Sequence, residues 1–156
     1  FGMHAMMSLR IEKYFRSWMC EFRPDYTAVE TGFGRIMSCN KPADLIDKQA
    51  VAATTAAGPE RQLCTFVVVS NDADVWADEP IFKEENVVGF VTSGAHAHYS
   101  QRSAAIGFLP VELIEDGQQV QIGILVEMRD ATMIRRCSLV RMRNGCGVKP
   151  VNEPLG

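Results

Sequence analysis

The hydrophobic period of this chain changes between residues 57 and 61. Before that point apolar residues recur at helical spacing; after it they come as short runs and strict alternations. At about 100° per residue, Met3, Met7, Ile11, Tyr14, Phe15 and Trp18 share one broad arc, which predicts a helix over residues 3–18. Glu12 and Arg16 then stand four apart and are expected to pair. Met6 falls among the polar positions, and Arg10 borders the apolar arc. Pro24 stops any continuation. A loop over 23–31, a short strand over 32–37 and a second helix follow. That helix opens at Asn40-Lys41-Pro42, runs through Leu45, Ile46, Gln49 and Ala50, and dies out near Gly58-Pro59.

Beyond Gly58 the signals are those of strands. Leu63–Val69 is an apolar, β-branched run, and Ser103–Leu109 is another. Residues 80–92 read as a hairpin around a polar loop, and Asp116-Gly117 is a turn. Val120, Ile122, Ile124 and Val126 alternate with Gln121, Gly123, Leu125 and Glu127, the period of a half-buried strand. Arg129-Asp130 is expected to turn the chain into a last strand through Met133 and Ile134. Short strands at this spacing predict a small antiparallel barrel or sandwich. The fold class is α+β, with a helical part over 1–57, a β module over 60–140 and a tail over 141–156.

Charge and cysteine content narrow the function. The net charge of −3 provides no positive field for nucleic acid, and no apolar run is long enough to span a membrane. The basic tail residues Arg135, Arg136, Arg141, Arg143 and Lys149 read as a solvated end. The five cysteines are widely spaced and form no C-x-x-C pair, which points to a reducing compartment, the cytoplasm or the mitochondrial matrix. No signal-peptide pattern is visible, and the start at Phe1 suggests a fragment or a processed product.

Few residues carry chemistry on their own. His96 and His98 have the spacing of a two-ligand metal corner, but no third ligand is placed, so a surface strand end is the expectation. Asp72, Asp74, Asp78 and Glu79 lack the glycine and closing glutamate of a calcium loop and read as a solvated loop. Gly32-x-Gly34 lacks the context of a dinucleotide site, and neither a G-x-S-x-G nor a Walker-type loop occurs. Arg10, Glu12, Phe15 and Trp18 are the most suggestive group. Aromatic rings can stack on a planar heterocycle, and a carboxylate can accept its paired N–H donors. The same residues also suit an ordinary core and surface.

Ser8-Leu9-Arg10-Ile11-Glu12-Lys13, Trp18 and Thr27-Ala28-Val29-Glu30-Thr31-Gly32-Phe33 resemble the signature of the glycine-cleavage T-protein family. Asn40-Lys41-Pro42-Ala43-Asp44-Leu45-Ile46 and Gly117-Gln118-Gln119-Val120 resemble its dimethylglycine dehydrogenase branch. Glu79-Pro80-Ile81, Val87-Val88-Gly89, Thr92-Ser93-Gly94 and Gly107-Phe108-Leu109-Pro110 are similar to the family's carboxy-terminal barrel. The resemblance implies a tetrahydrofolate-binding parent. In the glycine-cleavage member, folate takes a one-carbon unit from an aminomethyl group on a lipoyl arm. In dimethylglycine and sarcosine dehydrogenases, an upstream FAD domain oxidises an N-methyl amine first. The family's catalytic aspartate lies upstream of the matched region, so no catalytic residue is assigned and the chain alone is expected to be inactive.

By the same resemblance Met6, Arg10, Glu12, Phe15 and Arg35 are candidate folate contacts, with Arg10 and Glu12 alternatively bracing the helix. Met6 stands where glycine-cleavage members carry an arginine, as in the dimethylglycine dehydrogenase branch; Trp18 is followed by Met19 where the family has glycine; and Arg35 replaces an aromatic. These departures leave open a non-catalytic relative resembling the regulatory subunit of pyruvate dehydrogenase phosphatase. The expected partners are folate and upstream domains.

Overall fold

The computed structural model describes residues 2–34, 37, 46–134, 140–143 and 147–150. Two helices, α1 (Met3–Glu12) and α2 (Lys48–Ala57), precede six strands: β1 (Arg61–Val68), β2 (Pro80–Lys83), β3 (Asn86–Ala97), β4 (Arg102–Pro110), β5 (Gln119–Ile124) and β6 (Glu127–Ile134). These close into an antiparallel barrel in the order β1-β4-β3-β2-β5-β6. A separate pair, β7 (Val140–Arg143) and β8 (Gly147–Pro150), follows.

The barrel interior holds Phe66, Val68, Ile81, Val91, Leu109, Val120, Ile122, Ile124 and Met133, all buried. Its outer surface divides in two. On β5, Val120, Ile122 and Ile124 are buried while Gln119, Gln121 and Gly123 are not, so this side of the barrel faces water. On β1 and β4 both faces are covered. Leu63, Ala104, Ile106 and Phe108 form a second apolar cluster outside the barrel, capped by Ile11 of α1 and flanked by Tyr14 and Tyr26. The mostly apolar text of β1 and β4, interrupted by the buried Thr65 and Ser103, follows from that double burial.

Two motif glycines exist because backbones cross closely here. A Cβ on Gly89 would strike the Phe108 carbonyl of β4, and one on Gly94 would strike Val75. The V-V-G and T-S-G texts therefore record packing against the neighbouring strand and the loop over it.

Several local expectations are corrected. The first helix ends at Glu12 rather than Trp18. Tyr14 takes a left-handed conformation with φ 56°, and its hydroxyl donates to the Leu63 carbonyl at 3.0 Å, so the chain leaves the helical path to reach β1. Glu12 and Arg16 do not pair: Glu12 turns to the β3–β4 connection, and Arg16 stacks 4.6 Å from the Tyr14 ring centroid and 5.4 Å from that of Phe33. Residues 32–34 and 37 are not strand. Gly32 closes a turn by donating to the Val29 carbonyl, with φ 78°. The second helix starts at Lys48, after Asp47 at φ 62°, and its expected cap at Asn40 lies outside the described residues. Strand β5 stops at Ile124, and the turn is Leu125-Val126; Arg129 and Asp130 belong to β6. The Leu125 φ of 58° reverses the chain four residues before the Arg-Asp signal.

Candidate functional site

Residues 13–34 form a strap that runs from α1 across the outer face of β1, β4 and β3. Three carboxylates fasten this unit to the barrel. Glu12, at the end of α1, accepts the amides of Tyr99 at 2.7 Å and Ser100 at 3.0 Å, capping the β3–β4 turn. Nearby, the Ser8 hydroxyl accepts the His98 amide at 3.3 Å.

Glu30 is the second fastening. It accepts the Thr27 amide at 2.7 Å and the Arg61 guanidinium at 2.8 Å, while its own carbonyl accepts the Leu63 amide. Burial pushes the Glu30 carboxyl up, but the Thr27 and Arg61 donors outweigh it and hold the group below its ordinary value. The Arg61 guanidinium also lies over Tyr26 and Phe108, whose ring centroids are 4.4 Å apart.

Glu21 is the third, and it has no solvent exposure. Its Oε2 accepts the Ser17 amide at 2.6 Å and Arg10 Nη1 at 3.2 Å. Its Oε1 accepts the hydroxyls of Thr92, at 2.8 Å, and Ser93. Consecutive residues on a regular strand point to opposite faces. Here the β3–β4 register shifts between Val91 and Ser93, and that bulge lets both hydroxyls reach one oxygen. Arg10 Nη1 also donates to the Phe15 carbonyl at 3.0 Å, and its Nε lies 3.1 Å from Met7 Sδ.

The five candidate folate residues therefore separate. Arg10 and Glu12 are buried and turned to the strap and barrel. Met6 and Phe15 stand exposed, as does Trp18, at 76% exposure. Arg35 lies outside the described residues. An open depression of about 300 Å³, lined by Phe82, Glu84, Gln119, Val120, Gln121 and Asp130, sits on the solvent-facing side of the barrel away from α1. Glu21 was not singled out from sequence, because neither periodicity nor spacing marks a lone carboxylate in a loop.

Other candidates resolve as follows. His96 and His98 sit edge to face with ring centroids 4.9 Å apart. Among the described residues no group of three or more His, Cys, Asp or Glu could hold a metal ion. In the acidic stretch, Asp72 pairs with Arg129 at 2.9 Å and Glu79 accepts the Trp76 amide at 2.9 Å. Burial raises the Glu79 carboxyl above its ordinary value, against the opposing Trp76 and Leu125 amides. Among the described residues, no helix is long and apolar enough to cross a membrane.

The barrel sequence matches a known domain: residues 61–138, half the chain, fit the glycine cleavage T-protein C-terminal barrel domain. This chain belongs to the glycine-cleavage T-protein family. The likeness of this T-protein-family chain to whole proteins is longer than the 61–138 barrel match. It is 38% identical over 135 residues to mitochondrial dimethylglycine dehydrogenase of Mus musculus, covering 86% of this chain and 16% of that protein. It is 28% identical over 125 residues to the mitochondrial pyruvate dehydrogenase phosphatase regulatory subunit of Mus musculus, covering 78% of this chain and 14% of that protein. The fold matches the glycine cleavage system aminomethyltransferase T from Bartonella henselae with a TM-score of 0.77 at 22% identity, over 83% of this chain and 37% of that one. The T-protein-family chain thus spans about one sixth of the dehydrogenase that it resembles. It is an aminomethyltransferase-like C-terminal region close to dimethylglycine dehydrogenase.

Proposed function

We propose that this chain is the end of a folate-binding domain and the terminal barrel of a dimethylglycine or sarcosine dehydrogenase-type protein, which passes a one-carbon unit to tetrahydrofolate. The observation that carries this reading is the 38% identity to dimethylglycine dehydrogenase over 135 residues, a longer stretch than the barrel domain alone. Tetrahydrofolate would supply the nitrogens that take up the one-carbon unit, and FAD on an upstream domain would oxidise the amine. In this reading the exposed side of α1 is one wall of the pteridine site. Met6 and Phe15 face the ligand, with the Phe15 ring offering a stacking surface, and Arg35 remains a folate-contact candidate on the family resemblance alone. Arg10 and Glu12 keep that wall in place. The names of the dehydrogenase relatives support a mitochondrial location, the matrix, for the parent.

Two measurements test the reading. Tetrahydrofolate titrated against this chain, followed by the fluorescence of Trp18 and Trp76, is expected to bind more weakly than about 1 mM, or roughly −4 kcal/mol. The full-length protein carrying this chain is expected to reduce its flavin with dimethylglycine or sarcosine and to bind tetrahydrofolate tightly. A second reading, a non-catalytic subunit, is favoured by the 28% identity to the phosphatase regulatory subunit. A full-length protein with neither amine-dependent flavin reduction nor folate binding would decide for it.

A further inference from the structure

The apolar packing of α1 against the barrel is slight. Its buried residues are Ser8, Arg10, Ile11 and Glu12, of which only Ile11 is apolar. One apolar contact lets a helix roll about its axis, so the polar contacts must set which residues face outward. The Arg10–Glu21 pair is the most demanding of them. Both groups are at least nine-tenths buried. A buried ion pair is poor value for stability, since a well-packed apolar pair of similar volume commonly does as well. Its distinct capacity is to fix direction, because both Glu21 oxygens and Arg10 Nη1 meet their partners in one arrangement only, while Arg10 Nη2 is buried without a hydrogen-bond partner.

Glu21 has the connections for that task. One oxygen reads the α1 side, through Arg10 and the Ser17 amide; the other reads the barrel, through Thr92 and Ser93. The bulge in β3 brings both hydroxyls to the same point. Arg10 Nη1 in turn holds the Phe15 carbonyl, and the Arg10 carbonyl accepts the Phe15 amide at 2.8 Å, so the exposed aromatic of the candidate wall is tied to Arg10 through both its side chain and its backbone.

We propose that Glu21 is a positioning residue: acting through Arg10, it sets the roll of α1 and the placement of Phe15 relative to the barrel. It touches no ligand itself. What the outer side of α1 binds rests on the folate reading above; that Glu21 aims it does not.

The test is Glu21→Gln in this chain, read by amide hydrogen exchange resolved along the sequence. Glutamine keeps the size and an acceptor oxygen but removes the charge that holds Arg10. Exchange over residues 5–22 is expected to rise by at least about tenfold, with β1 and β4 unchanged. Unchanged exchange over 5–22 overturns the proposal. So does a parallel rise in α1 and barrel, because that is loss of general stability. If Glu21→Gln does not fold, Thr92→Val combined with Ser93→Ala removes only the barrel side of the network, and the same criteria apply. In the full-length protein, Glu21→Gln is expected to weaken tetrahydrofolate binding by about tenfold. A wild-type protein that binds no folate refutes the folate reading, while the exchange result still judges Glu21.

Discussion

Glu12 Oε1 accepts the amide of Tyr99 at 2.7 Å, across 87 positions of sequence. The last residue of α1 thereby supplies the acceptor for a barrel turn, with the Ser100 amide at 3.0 Å and the Ser100 hydroxyl at 3.3 Å on the same oxygen. Removing it leaves those donors in a partly buried site. Glu12→Ala is expected to lower unfolding free energy by about 1–3 kcal/mol. Urea denaturation checks this, and a change below a few tenths would show that water replaces the carboxylate freely.

Gly94 gives a steric prediction. A Cβ there would meet the backbone and side chain of Val75, neither of which is the end of a flexible chain. Gly94→Ala is expected to cost about 3 kcal/mol. Gly2→Ala, where a Cβ meets nothing within 4 Å, is the steric control and should lower stability only by the smaller cost of an alanine at the α1 N-cap, below about 1 kcal/mol.

The tip of the β5–β6 hairpin should be improvable. Leu125 holds φ 58° at the first position of a two-residue turn and is 82% exposed, so its side chain contributes little packing. Glycine takes that conformation without the penalty of a Cβ. Leu125→Gly is expected to raise stability by about 0.5–1 kcal/mol, measured by thermal melting. The Leu125 amide still donates to Glu79 in the variant, so the turn keeps its anchor.

Acid sensitivity follows from Glu30. Its folded value is held below that of the unfolded chain, so its contribution is fully present above the unfolded value. As pH falls below about 4.3 and passes through the folded value, that contribution is lost. Glu79 has the opposite sign: its raised folded value means that protonation favours the folded state, and this benefit disappears as pH rises through the folded value. Stability scanned against pH should therefore drop less steeply on the acid side in Glu30→Gln than in the wild type. Identical acid limbs would show that the Glu30–Arg61 contact does not contribute.

Much of the barrel was legible in the sequence. The alternation at Val120, Ile122 and Ile124 and the apolar run from Leu63 carry the inside–outside code of strands on local side-chain pattern alone. The Asp116-Gly117 turn was legible for the same local reason, and the motif texts identified the family. The strap and the site were not. A helical arc running on to Trp18 gives no sign that Tyr14 must leave it to reach Leu63, 49 positions away.

The sequence by itself determined the change from helical to strand periodicity, most of the barrel strands and the family. The tertiary structure alone decided where α1 stops, which partners Arg10, Glu12 and Glu21 take, and which way Phe15 faces. The division has one cause: periodicity reports the side of an element that is buried, while a charge or a hydroxyl takes its role from partners that only the closed barrel brings within hydrogen-bonding distance.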